Sequence, residues 1–403
     1  MAPTAPERPV RYYKHYLDVE NVNKYRKGGY HPVHIGDIIH DRYRVVNKLG
    51  HGAYSTVWLV KDDNSGRHAS LKVVAADASE VTLLRRLKQI QADSPDVPGG
   101  EFVVKVFDDF TVDGPNGTHQ CIVTEVLGPP LDLNPLQSED YIYPPDAAKK
   151  MIAQIAHGVA YLHRIGIVHG DLHLRNFALH APEMESLSDG DVQNPNVAKS
   201  TANSRSATPT TAYRTTEPSS ALVAHLPGAV HIKICDFGEA FLWRGEPQQV
   251  ALHTPHAHAA PEILFKDPVT PAVDVWSMAV LAHCLLSGAY MFEPPNAGSV
   301  VFEWVLKLGK LPDRWWAKWG ERARSFDDEG VYIAGEFSKE VMEEDSQLLS
   351  GTIGRRMGED EFAEFEKLVR RMLCYRVEDR ISADGVVQSI PADWIKGGAG
   401  AQA

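Results

Sequence analysis

The chain has 403 residues, 43% hydrophobic and 23% charged, enough for one large catalytic unit or roughly two or three average domains with buried cores. Its formal charge of −12 excludes the broadly basic surface of a general nucleic-acid binder and suits basic partners. Cys121, Cys235, Cys284 and Cys374 lie far apart, without metal-ligand spacing or a disulfide framework, and read as free thiols in a reducing compartment.

Residues 1–40 are rich in Pro, Tyr and His with little periodicity and read as an extended arm. The opening MAPTAPERPV holds no apolar stretch for a signal peptide, so the expected setting is cytosol, nucleus or both. β-formers at 43–46 and 56–60 around Gly50 and Gly52 predict strand–turn–strand, and 69–74 predicts a further strand. Val81, Leu84 and Leu87 recur at helical spacing behind Asp77 and Ser79, predicting a helix over 79–89. Strands are expected at 102–110 and 120–127 with a turn at 113–117. This first part is a β-rich layer carrying one helix.

After Gly128-Pro129-Pro130 the pattern turns helical, with Met151, Ile155, Val159 and Leu162 on one stripe of a helix over 145–166. Short strands at 167–168 and 231–235 bracket an insert at about 182–227. Its Ser, Thr, Asn, Ala and Pro cannot bury enough surface to offset ordering entropy, so a mobile loop is expected there. The apolar run 275–292 is broken by Ser277, His283 and Ser287 and preceded by Asp274, which predicts a buried core helix and no membrane span. Helical patterns rich in Trp, Leu and Phe follow from Pro271, and no internal repeat is present.

The chemistry-bearing residues form an ordered series. In Leu49-Gly50-His51-Gly52-Ala53-Tyr54-Ser55-Thr56-Val57, glycines between two strands let backbone N–H groups approach phosphate oxygens; taken alone, the segment is equally a plain hairpin turn. Lys72, on the next strand two residues after Ser70, can reach α- and β-phosphates, with Glu80 as its acidic partner. In His169-Gly170-Asp171-Leu172-His173-Leu174-Arg175-Asn176, Asp171 can accept a hydroxyl proton and Asn176 can ligate a metal. Asp236, opening Asp236-Phe237-Gly238 after a strand, supplies the second metal ligand; one Asp and one Asn suit Mg²⁺, which keeps phosphate oxygens in its shell. Single triplets arise by chance, but the whole set in order and context defines an ATP- and Mg²⁺-dependent kinase fold of the α+β class. Ala260-Pro261-Glu262, Asp274-Val275-Trp276-Ser277 and Arg380, a buried partner for Glu262, extend the match with scaffold roles.

Lys27-Gly28-Gly29-Tyr30-His31-Pro32-Val33, Ile35-Gly36-Asp37, Arg42-Tyr43 and Ser55-Thr56-Val57-Trp58-Leu59 resemble the SR-protein kinase family, whose members phosphorylate serines in Arg/Ser-rich splicing factors. Glu125-Val126-Leu127-Gly128 looks like that family's hinge. Tyr290-Met291-Phe292-Glu293-Pro294 is similar to a stretch after its long helix. The resemblance covers about residues 25–393. It implies a bilobal fold with a β-rich N-lobe at 41–128, a mainly helical C-lobe at 129–393 and a flexible tail at 394–403. It also implies ATP between the lobes on residues 49–55, Val57, Ser70, Lys72, Glu125 and Leu127, with Lys72, Glu80, Asp171 and His173 catalytic. Basic protein substrates, no direct nucleic-acid contact, no membrane and a monomer are expected.

Departures from the pattern carry consequences. His173 stands where most kinases have a lysine on the transferring phosphate; a neutral imidazole offers one donor and no charge, an imidazolium partly substitutes. Leu174 and Arg175 replace Pro and Glu, and Gly170 replaces the arginine that pairs with a phosphorylated activation loop, which points to activity without such phosphorylation. Residues 254–258 align poorly with the family's substrate-binding Thr and Tyr. The rival readings are a pseudokinase that binds ATP with weak turnover, and a small-molecule phosphotransferase with a similar catalytic loop. Glu343, Glu344 and Asp345 read as a solvated helix face more than as a docking groove.

Overall fold

A computed structural model describes residues 19–77, 81–133, 142–186, 197–198, 212–213, 230–292, 297–335 and 346–396. Residues 1–18 of the arm, Ser79, Glu80, most of the 182–227 insert, Glu293, Pro294, Glu343, Glu344, Asp345 and residues 397–403 lie outside the described residues. The chain divides into two compact units, one of residues 1–79, 108–124 and 185–217, the other of 80–107, 125–184 and 218–403. The helix expected in the β-rich layer groups with the second unit. Its Gln91 side chain donates to Val104 O at 3.0 Å and accepts from Val106 N at 3.1 Å.

The first unit is built on a six-stranded sheet of β1 (Ile38–Ile39), β2 (Tyr43–His51), β3 (Ser55–Asp62), β4 (His68–Val74), β5 (Val106–Gly114) and β6 (Gly117–Thr124), in the order β1-β2-β3-β4-β6-β5. Alternation at Tyr43, Val45 and Asn47 buries one face of β2, while Trp58, Leu71 and Ile122 are wholly buried at its centre. Register shifts between Val45 and Asn47 and between Lys48 and Gly50 bend β2 toward the hairpin. The strand expected at 102–110 begins only at Val106. Gly100–Phe102 form a 3-10 turn behind left-handed Gly99, and Val104 N instead pairs with Ile234 O within the second unit.

Residues 19–40 are packed rather than a free arm. Glu20 and Lys48 form a buried ion pair, and the Tyr25 hydroxyl donates to the same carboxylate. Burial and the Glu20 charge hold the Tyr25 phenol far above its ordinary pKa, so it stays a donor.

The second unit is mainly helical: α1 (Val81–Asp93), α2 (Pro145–Arg164), α3 (Ala272–Ser287), α4 (Ala297–Leu308) and α5 (Glu359–Met372). The stripe Met151, Ile155, Val159 and Leu162 is buried on α2. α3 is apolar all round and buried from Val273 to Ser287, ending on left-handed Gly288. Among the described residues no helix is long and apolar enough to cross a membrane. β7 (Leu127–Pro130), β8 (Ile167–Val168) and β9 (Phe177–His180) follow the switch in pattern. Within the insert, in the first unit, β10 (Val197–Ala198) pairs with β11 (Ala212–Tyr213). β12 (Ile232–Ile234) and β13 (Phe241–Leu242) complete the set, with β12 on β9, β9 on β7, and β13 on β8. The buried fork Arg380–Glu262, 2.7 and 3.1 Å, fastens the segment after Ala260 as expected, and Arg380 also donates to Ala272 O. All four cysteines are free.

Candidate active site

The first unit carries the glycine segment and Lys72. Gly50 pairs with Val57 and His51 with Thr56, and Gly52 N donates to Ser55 O at 2.9 Å, so residues 52–54 form the hairpin tip. None of Gly50, Gly52 or Ser55 has a positive φ, and a Cβ at Gly50 would meet no protein atom within 4 Å. Neither conformation nor internal packing demands glycine at 50. Serine at 55 fits the same backbone. Lys72 lies in β4 between Val57 of β3 and Ile122 of β6, next to buried Leu71 and Val73, and Ser70 is buried two residues before it. Leu49 and Val57 are half-buried, while His51, Ala53 and Tyr54 are exposed.

The second unit holds the catalytic loop, and Asp274 of α3 clamps it. The Asp274 carboxylate accepts from His169 N and Gly170 N, both at 2.8 Å, and from His163 Nε2 at 2.9 Å. Burial alone would push its pKa up; the His163 hydrogen bond, the neighbouring histidines and the Gly170 N–H outweigh it and hold the carboxyl below its ordinary value. Gly170 sits at φ 76°, where an added Cβ would meet Glu239 O and Leu252 Cδ2 at 3.0 Å. Glycine here is therefore a local steric requirement, a reason for the missing arginine that the sequence does not reveal. The Thr254 hydroxyl donates to Gly170 O at 2.6 Å, so the poorly aligning segment still reaches the catalytic loop.

Asp171 is fixed from several sides. Its N–H donates to His169 Nδ1 at 3.3 Å, and Asn176 Nδ2 donates to its carbonyl at 2.8 Å and to Oδ2 at 3.3 Å. His173 Nε2 stands 3.5 Å from the same Oδ2. Oδ1, buried, has no hydrogen-bond partner among the described residues. Because Asn176 Nδ2 faces Asp171, its Oδ1 is the end able to meet a cation. Cys235 N donates to Asn176 O at 2.9 Å, and Ile234 pairs with Phe177, which brings Asp236 beside Asn176 along the β9–β12 pair. Asp236 is exposed with φ 60°, a strained conformation of the kind that clusters at functional sites. Among the described residues no group of three or more His, Cys, Asp or Glu could hold a metal. The Asn–Asp pair fits Mg²⁺ that completes its shell with phosphate and water oxygens. Buried Phe237 lies 5.1 Å from the His169 ring, and His169 Nε2 contacts Cys235 O at 3.2 Å, tying the two motifs together.

One residue outside the motifs, His258, belongs to this neighbourhood. A cavity of about 770 Å³ opens beside the catalytic loop, lined among others by Asp132, His173, Arg175, Pro255, His258 and Tyr290. His258 is buried with neither ring nitrogen hydrogen-bonded, its ring 6.3 Å from His173 and 6.1 Å from Tyr290. Burial foremost, then the His173 charge, lowers its pKa to about 4, so it is a neutral ring. The only sequence signal for it was the irregular 254–258 stretch. Glu125, assigned to the nucleotide, has its carboxylate committed elsewhere: Lys105 N at 2.7 Å, Lys233 at 3.0 Å and His180 at 3.3 Å. Glu125 N is likewise spent on Lys105 O at 3.1 Å, and Leu127 opens β7, half-buried.

The fold and the order of these motifs are those of a protein kinase, and the chain belongs to the protein kinase family: the protein kinase domain model matches residues 43–391. Within it the chain is SR-protein-kinase-like. It is 40% identical over 165 residues to SRSF protein kinase 3 of Homo sapiens, covering 40% of this chain and 29% of that protein. It is 30% identical over 338 residues to the serine/threonine-protein kinase SRPK of Physarum polycephalum, 77% of each chain. A serine/threonine protein kinase of Aspergillus fumigatus is 26% identical over 409 aligned residues, 95% of this chain and 94% of that one. The match spans less than a third of the SRSF protein kinase 3 sequence. The domain match sets the chain apart from small-molecule phosphotransferases.

Proposed function

We propose that the chain is an active serine/threonine protein kinase that moves the γ-phosphate of ATP to serine, and secondarily threonine, hydroxyls of Arg/Ser-rich proteins linked to mRNA splicing. The observation that carries the reading is Asp171, locked on a loop clamped by buried Asp274, with Oδ1 unpartnered. Asp171 Oδ1 accepts the hydroxyl proton as the serine oxygen attacks phosphorus, and Asn176 Nδ2 keeps the carboxylate oriented. The backbone N–H groups of Ala53 and Tyr54 and the Lys72 ammonium hold phosphate oxygens. Asn176 and Asp236 would hold Mg²⁺, which would supply positive charge against that developing on the transferring group. His173 supplies a donor toward that group in place of lysine.

Substrate preference rests on charge: a chain of net −12 favours basic segments. Arg/Ser-rich substrates and a splicing role follow from the SR-protein-kinase resemblance, and a reducing, cytosolic or nuclear setting from the spacing of the four cysteines. The β8–β13 pair, Thr254 on Gly170 and His253 on Glu239 tie the segment after Asp236 to the catalytic loop, which supports activity without loop phosphorylation. The rival pseudokinase reading draws on His173, whose contact with Asp171 Oδ2 competes for the catalytic carboxylate.

The test is phosphate transfer from ATP to an Arg/Ser-repeat peptide beside a generic basic protein. Transfer to the peptide is expected. Transfer to the basic protein alone removes the splicing-factor assignment and keeps the kinase.

A further inference from the structure

The motif Gly28-Gly29-Tyr30 has no role in the chemistry above, yet its geometry is demanding. Gly28 has φ 83°, and a Cβ there would lie 2.0 Å from Asp77 Oδ2; a Cβ on Gly29 would lie 1.8 Å from Lys24 O. Glycine at both positions lets the chain close a tight turn, with Gly29 N on Arg26 O and Tyr30 N on Lys24 O at 2.8 Å. The turn is then laid along the end of β4: Ala76 N donates to Gly29 O, Asp77 N to Gly28 O, and Asn116 Nδ2 to Tyr30 O at 2.6 Å. Tyr25, Tyr30 and Ala75 form a small buried cluster beneath it.

What this turn delivers is two side chains at the tip of the glycine loop. The Tyr30 hydroxyl lies 2.8 Å from Gly52 O and 3.1 Å from Ala53 O, and Lys24 Nζ donates to Ala53 O at 2.5 Å. Lys24 Nζ also sits 5.3 Å from the centre of the Tyr54 ring. The next carbonyl, Tyr54 O, accepts from Ala75 N at 2.8 Å. In a trans peptide the C=O and the following N–H point in opposite directions. Holding the Gly52 and Ala53 carbonyls against the turn therefore aims the N–H groups of Ala53 and Tyr54 away from it. Those N–H groups belong to the tip that the kinase reading assigns to phosphate oxygens. A hairpin tip of exposed residues, Gly52 to Tyr54, would otherwise lose conformational entropy each time nucleotide binds. Burial foremost, then the Glu20 charge, raises the Tyr30 phenol to about 12, so it remains a donor.

We propose that the turn 24–30 is a built-in brace for the nucleotide loop, with Tyr30 and Lys24 as positioning residues that preorient the Ala53 and Tyr54 N–H groups for the phosphates of ATP. The brace rests on the kinase reading for its ligand and on the arm geometry for its action. It gives the glycine pair at 28–29 a physical reason: only a Cβ-free turn brings Tyr30 to the tip.

The experiment uses the full chain with Tyr30→Phe, Lys24→Met and both together, since Phe keeps the buried ring and Met the aliphatic stem. KM for ATP and kcat are measured, with amide hydrogen exchange at residues 52–55 in the absence of nucleotide. Each lost hydrogen bond is expected to raise KM for ATP roughly five-fold, with kcat changed less than about two-fold, and to speed exchange at the tip. Unchanged KM with unchanged exchange overturns the brace, as does a lower melting temperature with KM unaltered, which marks a merely structural contact. If the unaltered chain binds no ATP, the kinase reading fails, and exchange alone then decides: faster exchange keeps the brace as a loop-ordering device, unchanged exchange removes it.

Discussion

His173 Nε2 lies 3.5 Å from Asp171 Oδ2, so the residue that replaces the usual catalytic-loop lysine touches the catalytic carboxylate itself. Phosphoryl transfer depends on positioning and charge stabilisation, and losing a permanent cation slows it without removing the other groups. His173→Lys is expected to raise kcat by less than about ten-fold from a rate already measurable in the unaltered chain. A gain from no detectable turnover makes the natural chain a pseudokinase.

Lys72→Met should abolish phosphate transfer and weaken ATP binding. The methionine keeps the stem between Val57 and Ile122, so the melting temperature without nucleotide should stay within a few degrees. Persisting turnover would show that Lys72 is not the phosphate ligand.

Asp274→Asn tests the clamp. An amide keeps the shape but turns one acceptor into a donor facing a backbone N–H, and it removes a buried charge that His163 and two amides satisfy. A loss of about 3 kcal/mol of stability is expected, read by urea unfolding, together with a large drop in kcat as the loop bearing Asp171 loosens. The folded pKa is depressed below the ordinary 3.8, so the carboxylate stabilises fully above about 4, and that contribution is lost as pH falls further. The Asn variant should lack this acid-limb loss.

His258 and His283 both have pKa values lowered from 6.5 to about 4, burial being the first cause in each. His283 Nε2 accepts from Ser350 N at 3.3 Å and Nδ1 lies 3.2 Å from Ser287 Oγ, an arrangement for a neutral ring. Between pH 6.5 and 4 the unfolded chain binds protons that the folded chain refuses. Stability should therefore fall as pH drops through that window, by up to about 1.4 kcal/mol per pH unit for each ring. His283→Asn should flatten the slope; an unchanged slope would mean that the ring titrates normally.

The sequence carried the motif-bearing elements well because their chemistry and their local structure coincide. Gly50, Gly52, Lys72, Asp171, Asn176 and Asp236 fall on the expected hairpin, strand and loops, and Glu262 meets Arg380 as expected. What stayed hidden depends on distant contacts. Nothing local says that the Glu125 carboxylate is spent on Lys233 and His180, that Gly170 is wedged against Glu239, or that Tyr30 reaches the loop tip at Gly52. The late start of β5 is of the same kind: Phe102–Val104 have β-former composition, but Val104 is claimed by Ile234. Glu80 lies outside the described residues, so its pairing with Lys72 stays a sequence expectation.

The most direct test of the central claim is single-turnover transfer of labelled γ-phosphate from ATP·Mg²⁺ to a serine peptide, comparing the natural chain with Asp171→Asn. Asn keeps the shape of the side chain but cannot take the hydroxyl proton. The account predicts phosphoserine from the natural chain and a rate at least about a hundred-fold lower for the variant, with ATP affinity little changed. Equal rates for the two, or no phosphoserine from the natural chain despite bound ATP, would contradict it.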